Sequence, residues 1–291
     1  MINQQKYSGE EDQREMIQLA RETQAEYIHV IDLPYRLSSW ALDEPDNVGL
    51  WVDEHGQLVA WAVMQTPFWT IDYVLRPDTD SDLHTQILRW ADKRAQDLIT
   101  TPYGHPAWFV NVPADQTKRR QELEQNRYAS QADAGKDAWS SVWMERSGKI
   151  DVPSYPLPAG FTIRSLAGES EVEAYVELHQ AVFETKNMTT EWRIRTIKHP
   201  AYIPDLDIVV VAPDGRLAAF CIGWICPTSD GGLRGQIEPL GCHADFRSYA
   251  LGRVALYETL RRLQQHGAEP IFVETDSYRN TAFRLYESVG F

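Results

Sequence analysis

The sequence has little cysteine and few basic residues. Three of its 291 residues are cysteine, so they cannot all pair, and none has a histidine at the spacing of a metal site. We expect Cys221 and Cys226, which lie in an apolar run, to be buried thiols, and we expect no bound metal. Lys and Arg total 28 against 42 Asp and Glu, a net charge of −14. This balance excludes a general nucleic-acid binder, because such proteins need a cationic face.

Long apolar runs are also missing. No stretch approaches the roughly 18 apolar residues that cross a bilayer, and residues 1–16 have no apolar core like that of a signal peptide. We therefore expect a cytoplasmic protein without a membrane partner. Neither GxxxxGKS/T nor GxGxxG occurs, which argues against a kinase and against a dinucleotide enzyme. Hydrophobic residues make up 43% of the sequence, which is enough to form the cores of two domains of about 150 residues each.

The same order of elements occurs on both sides of residues 147–160, whose prolines and glycines indicate a linker. Each half begins with an amphipathic helix and continues with a hairpin and a later strand. The matched pairs are helices at 10–25 and 169–184, hairpins turning at His55-Gly56 and Asp214-Gly215, and strands at 108–112 and 271–275. We interpret the repeat as the duplication of one α/β unit.

This duplication predicts a first domain over 1–146, a linker over 147–160 and a second domain over 161–291. The first copy has Asp80, Leu83 and Thr85 where the second has Arg247, Ala250 and Gly252, and it has Leu123 where the second has Tyr286. We therefore expect the first copy to be mainly structural.

The two copies also differ in how they end. After Tyr128 the first copy continues into a segment that predicts at least one more strand, whereas the second copy stops at Phe291. The closing strand of the second copy is then cut off, absent or supplied from elsewhere.

Residues 237–252, IEPLGCHADFRSYALG, predict a strand, a turn and the start of a helix. Pro239 cannot donate to a sheet ladder, so we expect this strand to be irregular or splayed. Leu256, Leu260 and Leu263 follow at helical spacing. Small residues at the N-terminus of that helix leave its first backbone amides accessible, and such amides together with the helix dipole bind phosphate.

Two motifs in the second half resemble the GNAT superfamily of acyl-CoA-dependent N-acyltransferases. The Arg-x-x-Ala-x-Gly of 247–252 is similar to the family's turn, Gln/Arg-x-x-Gly-x-Gly/Ala, and Ala250 replaces its central glycine. Alanine there still permits close backbone approach if its φ is negative. The sequence NTAFRLYESVGF (280–291) is similar to the family's late helix, Asn-x-x-Ala-x-x-Leu-Tyr-x-x-x-Gly-Phe, at every specified position.

The resemblance covers 161–291, and residues 1–146 resemble the family as a degenerate copy. It implies an α/β (α+β) fold of two tandem GNAT-like domains, each a mixed, mostly antiparallel sheet flanked by helices. It also implies acetyl-CoA as the acyl donor and no metal. The cofactor-binding residues that it implies are Leu240, Gly241 and Cys242 along the pantetheine arm, Arg247, Ser248, Tyr249, Ala250, Leu251, Gly252 and Arg253 around the pyrophosphate, Asn280 at the pantetheine and Phe283 in the channel.

Tyr286 and Glu238 are the candidate catalytic residues. The resemblance puts Tyr286 where the family often has the phenol that protonates the CoA sulfur; the alternative is an aromatic ring that packs a helix on the sheet. Glu238 is the candidate base, directly or through water, because it lies on the strand that lines the thioester and shares a face with Gln236. A structural carboxylate is the alternative, and a base is not essential if the amine arrives neutral.

Weaker candidates lie around the predicted acceptor. Glu274 and Asp276 end the strand beyond which cofactor and acceptor should meet, so they could attract a cationic amine; solvated carboxylates are the alternative. Trp192 and Tyr202 could form an acceptor wall, with core packing as the alternative.

Together these features predict an acetyl-CoA-dependent N-acetyltransferase that acts on a primary amine of a small molecule or peptide by direct attack in a ternary complex. The alternative is a non-catalytic acyl-CoA-binding sensor or interaction module, which the worn first copy and the missing closing strand motivate.

Overall fold

The chain forms two separate sheets, one in each of the units made by residues 1–134 and 135–291. A computed structural model describes residues 2–23, 30–77, 79, 81–132 and 140–291. None of the helices among these residues is long and apolar enough to cross a membrane.

The two units have their own sets of elements. The first unit consists of β1 (Asn3–Lys6), α1 (Glu10–Glu22), α2 (Leu33–Leu37), β2 (Val48–Val52), β3 (Leu58–Gln65), β4 (Thr70–Leu75), α3 (Ser81–Leu98) and α4 (Thr117–Gln125). The second unit consists of β5 (Ser141–Arg146), β6 (Thr162–Ser165), α5 (Val172–Phe183), α6 (Thr190–Lys198), β7 (Asp207–Val211), β8 (Leu217–Pro227), β9 (Leu233–Cys242), α7 (Leu251–Gln265), β10 (Ile271–Asp276) and α8 (Asn280–Glu287).

The topology of both sheets follows the repeat in the sequence. The first sheet has the order β1-β2-β3-β4 and is antiparallel throughout. The second has the order β5-β10-β9-β8-β7-β6, and its run from β6 to β9 repeats the antiparallel pattern of the first sheet. Both predicted hairpins are confirmed, and Gly56 (φ 78°) and Gly215 (φ 87°) supply the left-handed conformation at their turns.

The predicted amphipathic helices are confirmed with shifted ends. The first begins at Glu10 as expected and ends at Glu22, and Ala25, its predicted last residue, lies outside the described residues. The second starts with a 3₁₀ turn over Gly168–Glu171 before α5 begins at Val172.

The strand predicted over 108–112 is wrong. In this segment of the first unit only Phe109 forms a bridge, to Thr70. Pro106 and Pro113 flank the segment, and proline removes a donor and restricts the residue before it. The matching strand of the second unit, β10, is confirmed over Ile271–Asp276.

The edge strand β5 belongs to the second sheet. It pairs antiparallel with β10 along its whole length, from Ser141↔Asp276 to Arg146↔Ile271. The division of the chain therefore falls after Ala134 rather than at the expected residue 146. The strand that was expected to extend the first copy therefore lies in the second sheet, at the edge next to β10.

The segment 147–160 contains no helix or strand, as expected of a linker, but it is bonded to α7. Arg261 donates to the carbonyl of Pro153 (2.8 Å), and Gln264 donates to the carbonyls of Gly148 and Ile150 (2.6 Å each). These bonds make the segment part of the second unit.

Arg146 connects the end of β5 to the last residues of the chain through hydrogen bonds. Its guanidinium, in a side chain only 1% exposed, donates to the carbonyls of Val289 (2.6 Å), Ser147 (2.9 Å) and Ile150.

We expect Arg146→Ala to lower the free energy of unfolding by about 3 kcal/mol or more, because buried carbonyls lose charged donors. Urea denaturation measures this change.

The control is Arg216→Ala. Arg216 is exposed and pairs with Asp214 and Asp245 at the surface, so its loss should cost less than about 1 kcal/mol. Equal losses for the two variants would contradict the anchoring role of Arg146.

Candidate functional site

The central feature of the second unit is the parting of two parallel strands. β9 and β10 pair only at Gly235↔Ile271, Gln236↔Phe272 and Ile237↔Val273. Beyond this point β9 stays paired with β8 up to Cys242, and β10 stays paired with β5 up to Asp276. The splay expected from Pro239 is therefore confirmed, and a V-shaped gap opens between the strands.

Glu238 and Glu274 flank the mouth of this gap. Each follows the last paired residue of its strand, Ile237 or Val273, and those two side chains lie in the core with α7. Because side chains alternate along a strand, both glutamates lie on the opposite face of the sheet, as Gln236 does. Glu238 and Glu274 are both half-buried. Asp276, another acidic candidate, is bound by Arg279 (2.6 Å).

Tyr286 lies on α8 and packs in the core that contains α7. Its side chain is 6% exposed and its ring packs edge-on against Phe291, with centroids 5.8 Å apart. Burial raises the pKa of the Tyr286 phenol, and the negative charge of Glu238 raises it further. The phenol therefore keeps its proton at neutral pH, the state that a proton donor requires.

Leu240, Gly241 and Cys242 form the β9 side of the gap, as the candidate assignment requires. They pair with Cys221, Phe220 and Ala219 of β8, so the other edge of this stretch faces the gap. A Cβ on Gly241 would lie 2.5 Å from the Phe220 ring, which makes glycine necessary there.

The expected phosphate-binding turn is present, but its backbone differs from the expectation. A 3₁₀ turn over Ala244–Tyr249 leads into Ala250, and α7 begins at Leu251. Ala250 has φ 55°, not a negative φ. The alanine thus adopts the left-handed conformation that the glycine of the family pattern reaches without steric cost.

The geometry of the α7 N-terminus fits an anionic group. The amides of Arg253 and Val254 donate to the Ala250 carbonyl (3.0 and 3.2 Å). Within the described residues, the amides of Leu251 and Gly252 donate to no backbone carbonyl. Leu251 is fully buried, the Gly252 amide is hydrogen-bonded to the Cys242 side chain, and a Cβ on Gly252 would meet nothing closer than 3.7 Å.

Two cations lie beside this turn. Arg247 is exposed, and Arg253 is half-buried with its guanidinium 5.5 Å from the centroid of the Tyr155 ring. The acidic neighbour Asp245 is engaged by Arg216 (3.3 Å). Ser248 and Tyr249 are exposed in the same turn, and on α8 Asn280 is exposed while Phe283 is half-buried.

A buried polar cluster on α5, α6 and β7 escaped the sequence analysis. Arg193 and Asp207 form an ion pair with both side chains fully buried, Tyr202 donates to Asp207 (2.6 Å), and the Arg193 guanidinium lies 3.7 Å from the centroid of the Tyr175 ring. The available signal was an aspartate at the start of the otherwise apolar strand DIVVV.

The remaining candidates separate into core and site positions. Trp192 is 1% exposed and packs in the core, so the expectation of an acceptor wall is wrong for this residue. His179, which was not among the candidates, is 6% exposed, and burial lowers its pKa to about 3, so it is neutral at physiological pH. Cys221 and Cys226 are buried thiols as expected, and burial raises the pKa of Cys221 to about 12.

In the first unit the equivalent elements are tied together by side chains. Tyr73 on β4 bonds to His84 on α3 (2.8 Å), Glu122 on α4 contacts the other ring nitrogen of His84 (3.2 Å), and Arg119 lies over Tyr73 (4.1 Å). Asp80, the expected counterpart of Arg247, lies outside the described residues. Across the described ranges of both units, no group of three or more His, Cys, Asp and Glu could hold a metal ion.

The backbone of Ala250 leads to a stability prediction. We expect Ala250→Gly to raise the free energy of unfolding by up to about 1 kcal/mol, because the left-handed penalty of alanine outweighs the added chain entropy of glycine. Urea denaturation measures it. Ala255→Gly, in the interior of α7, is the matched control and should lose about 1 kcal/mol. A destabilised Ala250→Gly variant would argue against a strained turn.

A sheet that parts in front of a helix N-terminus resembles the layout expected of an acyl-CoA-dependent acyltransferase domain. Residues 171–291 match the model of the acetyltransferase (GNAT) family. This match lies within the second unit.

Curated relatives can be aligned with about half of the chain. A mycothiol acetyltransferase of Thermobispora bispora is 25% identical over 157 residues, which cover 52% of this chain and 53% of that protein. The mycothiol acetyltransferase of Thermomonospora curvata is 24% identical over 143 residues, 48% of this chain and 47% of the relative. The chain thus spans about half the length of the curated relatives that it matches.

Solved structures extend the likeness in fold to both units. A GCN5-related N-acetyltransferase from Sphaerobacter thermophilus superposes with a TM-score of 0.61 at 19% identity, over 99% of this chain and 91% of that one. A GCN5-related glucosamine N-acetyltransferase region of a fungal multi-domain GH3 β-N-acetylglucosaminidase gives a TM-score of 0.58 at 13% identity, over 100% of this chain and 37% of the other. At these identities the likeness is one of fold.

Proposed function

We propose that the chain is an acetyl-CoA-dependent N-acetyltransferase that transfers an acetyl group to a primary amine of a small molecule or peptide, by direct attack in a ternary complex. The observation that carries this proposal is the gap between β9 and β10, with Glu238 at its mouth and the Tyr286 phenol within electrostatic reach. The family match over 171–291 supports it, as do the relatives named mycothiol acetyltransferase.

The second unit has the groups that such a donor needs. The positive end of the α7 dipole, with Arg247 and Arg253 beside it, suits a pyrophosphate. The unpaired edge of β9 from Leu240 to Cys242 suits the amides of a pantetheine arm, because strand backbone groups need partners. An acetyl thioester lying along this edge ends near Glu238 and Tyr286.

Two proton transfers complete the proposed reaction. Glu238 accepts, directly or through water, the proton that the amine loses as its nitrogen bonds to the acetyl carbon. Tyr286 donates its proton to the sulfur as the carbon–sulfur bond breaks, and both groups then exchange protons with solvent. Holding the two reactants side by side supplies a large part of the rate, and each proton transfer adds to it.

The role of Tyr286 has a kinetic signature. We expect Tyr286→Phe to lower kcat about a hundredfold, because the leaving sulfur loses its proton donor. The dissociation constant for acetyl-CoA should stay within about twofold of wild type, a change of less than roughly 0.5 kcal/mol. Thiol release with an amine acceptor measures the first quantity and calorimetry measures the second. Unchanged turnover would leave Tyr286 as a packing residue.

The assignment of the donor to the second unit has a test with a matched pair of variants. Gly252→Asp places a carboxylate beside the turn, where its Cβ would meet nothing closer than 3.7 Å, and we expect it to weaken acetyl-CoA binding at least about tenfold through charge repulsion. Thr85→Asp makes the equivalent change in the first unit and should leave binding unchanged.

Two results would contradict the proposal. Loss of binding in Thr85→Asp alone would move the donor site to the first unit. Acetyl-CoA binding to wild type without thiol release for any amine of a broad panel would favour a non-catalytic acyl-CoA sensor.

A further inference from the structure

The linker segment, residues 147–160, runs along α7 from the C-terminal end of the helix toward its N-terminal end. Gln264, the next-to-last residue of α7, donates to the carbonyl of Gly148, and Arg261 about one turn earlier donates to the carbonyl of Pro153. Each step forward in the linker segment is thus a step back along the helix. The segment therefore approaches the proposed phosphate-binding turn.

Tyr155 continues this path on the N-terminal half of α7. Its ring packs edge-on against Tyr257 with centroids 6.4 Å apart, and the guanidinium of Arg253 lies 5.5 Å from the centroid of the same ring. Arg253 and Tyr257 are four residues apart, so they are neighbours on one face of the helix. After the segment, Phe161 packs against Tyr249 of the turn, with centroids 5.1 Å apart.

Neighbouring residues of the linker segment fix the position of Tyr155. Val152 and Leu157 on either side of it pack against the core that contains α7. Pro156 follows Tyr155 directly, and proline restricts the residue before it to extended conformations. Tyr155 is 37% exposed, but its backbone is held on both sides, so its ring is a fixed surface feature.

Arg253 differs from the other arginines near this face of α7. Arg261 and Arg262 both form ion pairs with Glu258. Among the residues that the structure describes, Arg253 forms no ion pair and its side chain makes no hydrogen bond, and the Tyr155 ring is the aromatic partner of its guanidinium. Its charge is therefore not neutralised within the described part of the unit.

The location of Arg253 in the helix makes this contact important. It is the third residue of α7, and helical side chains lean toward the N-terminus, so its guanidinium lies beside the positive end of the helix dipole. A cation is unfavourable there in the absence of an anion. The face of an aromatic ring attracts a cation, so the Tyr155 ring counteracts this repulsion and orders the side chain.

We propose that Tyr155 is a positioning residue of the donor site, whose ring holds the Arg253 guanidinium at the start of α7 so that it binds a phosphate of acetyl-CoA. A guanidinium that is ordered before the ligand arrives loses less conformational freedom on binding, which strengthens the complex. The inference rests on the proposed acetyltransferase function and adds a residue of the linker segment to its donor site.

Two substitutions of Tyr155 test this role by calorimetry with acetyl-CoA. We expect Tyr155→Ala to raise the dissociation constant about fivefold, because the contact that orders Arg253 is lost. Tyr155→Phe keeps the ring and should bind within about twofold of wild type. Tyr103→Ala is the matched control, since Tyr103 is an exposed tyrosine of the first unit that packs 5.1 Å from Trp40, and it should leave the dissociation constant unchanged.

A double-mutant cycle separates positioning from a general loss of structure. Arg253→Ala alone should weaken acetyl-CoA binding about tenfold, because a charge-assisted phosphate contact is lost. Adding Tyr155→Ala to Arg253→Ala should change the dissociation constant less than about twofold, since the ring acts through the arginine. A further fivefold loss in the double variant would mean that Tyr155 acts independently of Arg253, and it would overturn the proposal.

The remaining outcomes distinguish the positioning role from the function on which it rests. A wild type that does not bind acetyl-CoA would contradict the acetyltransferase function and the positioning role together. A wild type that binds it as tightly as Tyr155→Ala does, or a Tyr155→Phe variant as weak as Tyr155→Ala, would overturn the positioning role alone.

Discussion

The second unit depends on two parallel strands that pair over three residues and then part. A gap inside a sheet persists only if each of its strands is held from outside, since backbone groups that lose their ladder otherwise seek new partners. β8 holds β9 up to Cys242, and β5 holds β10 up to Asp276. β5 therefore does more than cover an edge, because it fixes β10 on the far side of the gap and leaves the near side open.

This constraint also explains where the candidate groups lie. Side chains alternate along β9 and β10, which part at the same level, so Glu238 and Glu274 lie on the same face of the sheet. Tyr286 on α8 packs with the α7 core on the opposite face. The α7 N-terminus follows β9 after one short turn. The candidate phosphate turn, the strand edge that faces the gap and Glu238 thus lie on one backbone path between Gly235 and Gly252, whereas Glu274 and Tyr286 lie on β10 and α8.

Local features of the fold were predictable from the sequence. Pro239 marked the splay, the leucines of α7 marked the helix, and the glycines at 56 and 215 marked the hairpin turns. Each depends on the conformational limits of a residue or on a short-range period.

Nonlocal features were not predictable. The assignment of β5 to the second sheet depends on pairing with β10, which lies well over a hundred residues away along the chain. The left-handed φ of Ala250 is set by the junction of the 3₁₀ turn with α7, although alanine by itself disfavours it. The cluster of Arg193 and Asp207 joins two elements that carry no shared motif, so only the folded chain brings the pair together.

The electrostatics of the acceptor side divide into two zones with different preferences. Glu238 and Glu274 bring negative charge to the mouth of the gap, where it favours a cation. The Arg193–Asp207 pair beyond them is neutral as a whole. A further charge brought next to this buried pair would lose its hydration and find no counter-ion there. Negative charge on this face of the second unit is therefore concentrated at the mouth of the gap, while the interior behind it is balanced.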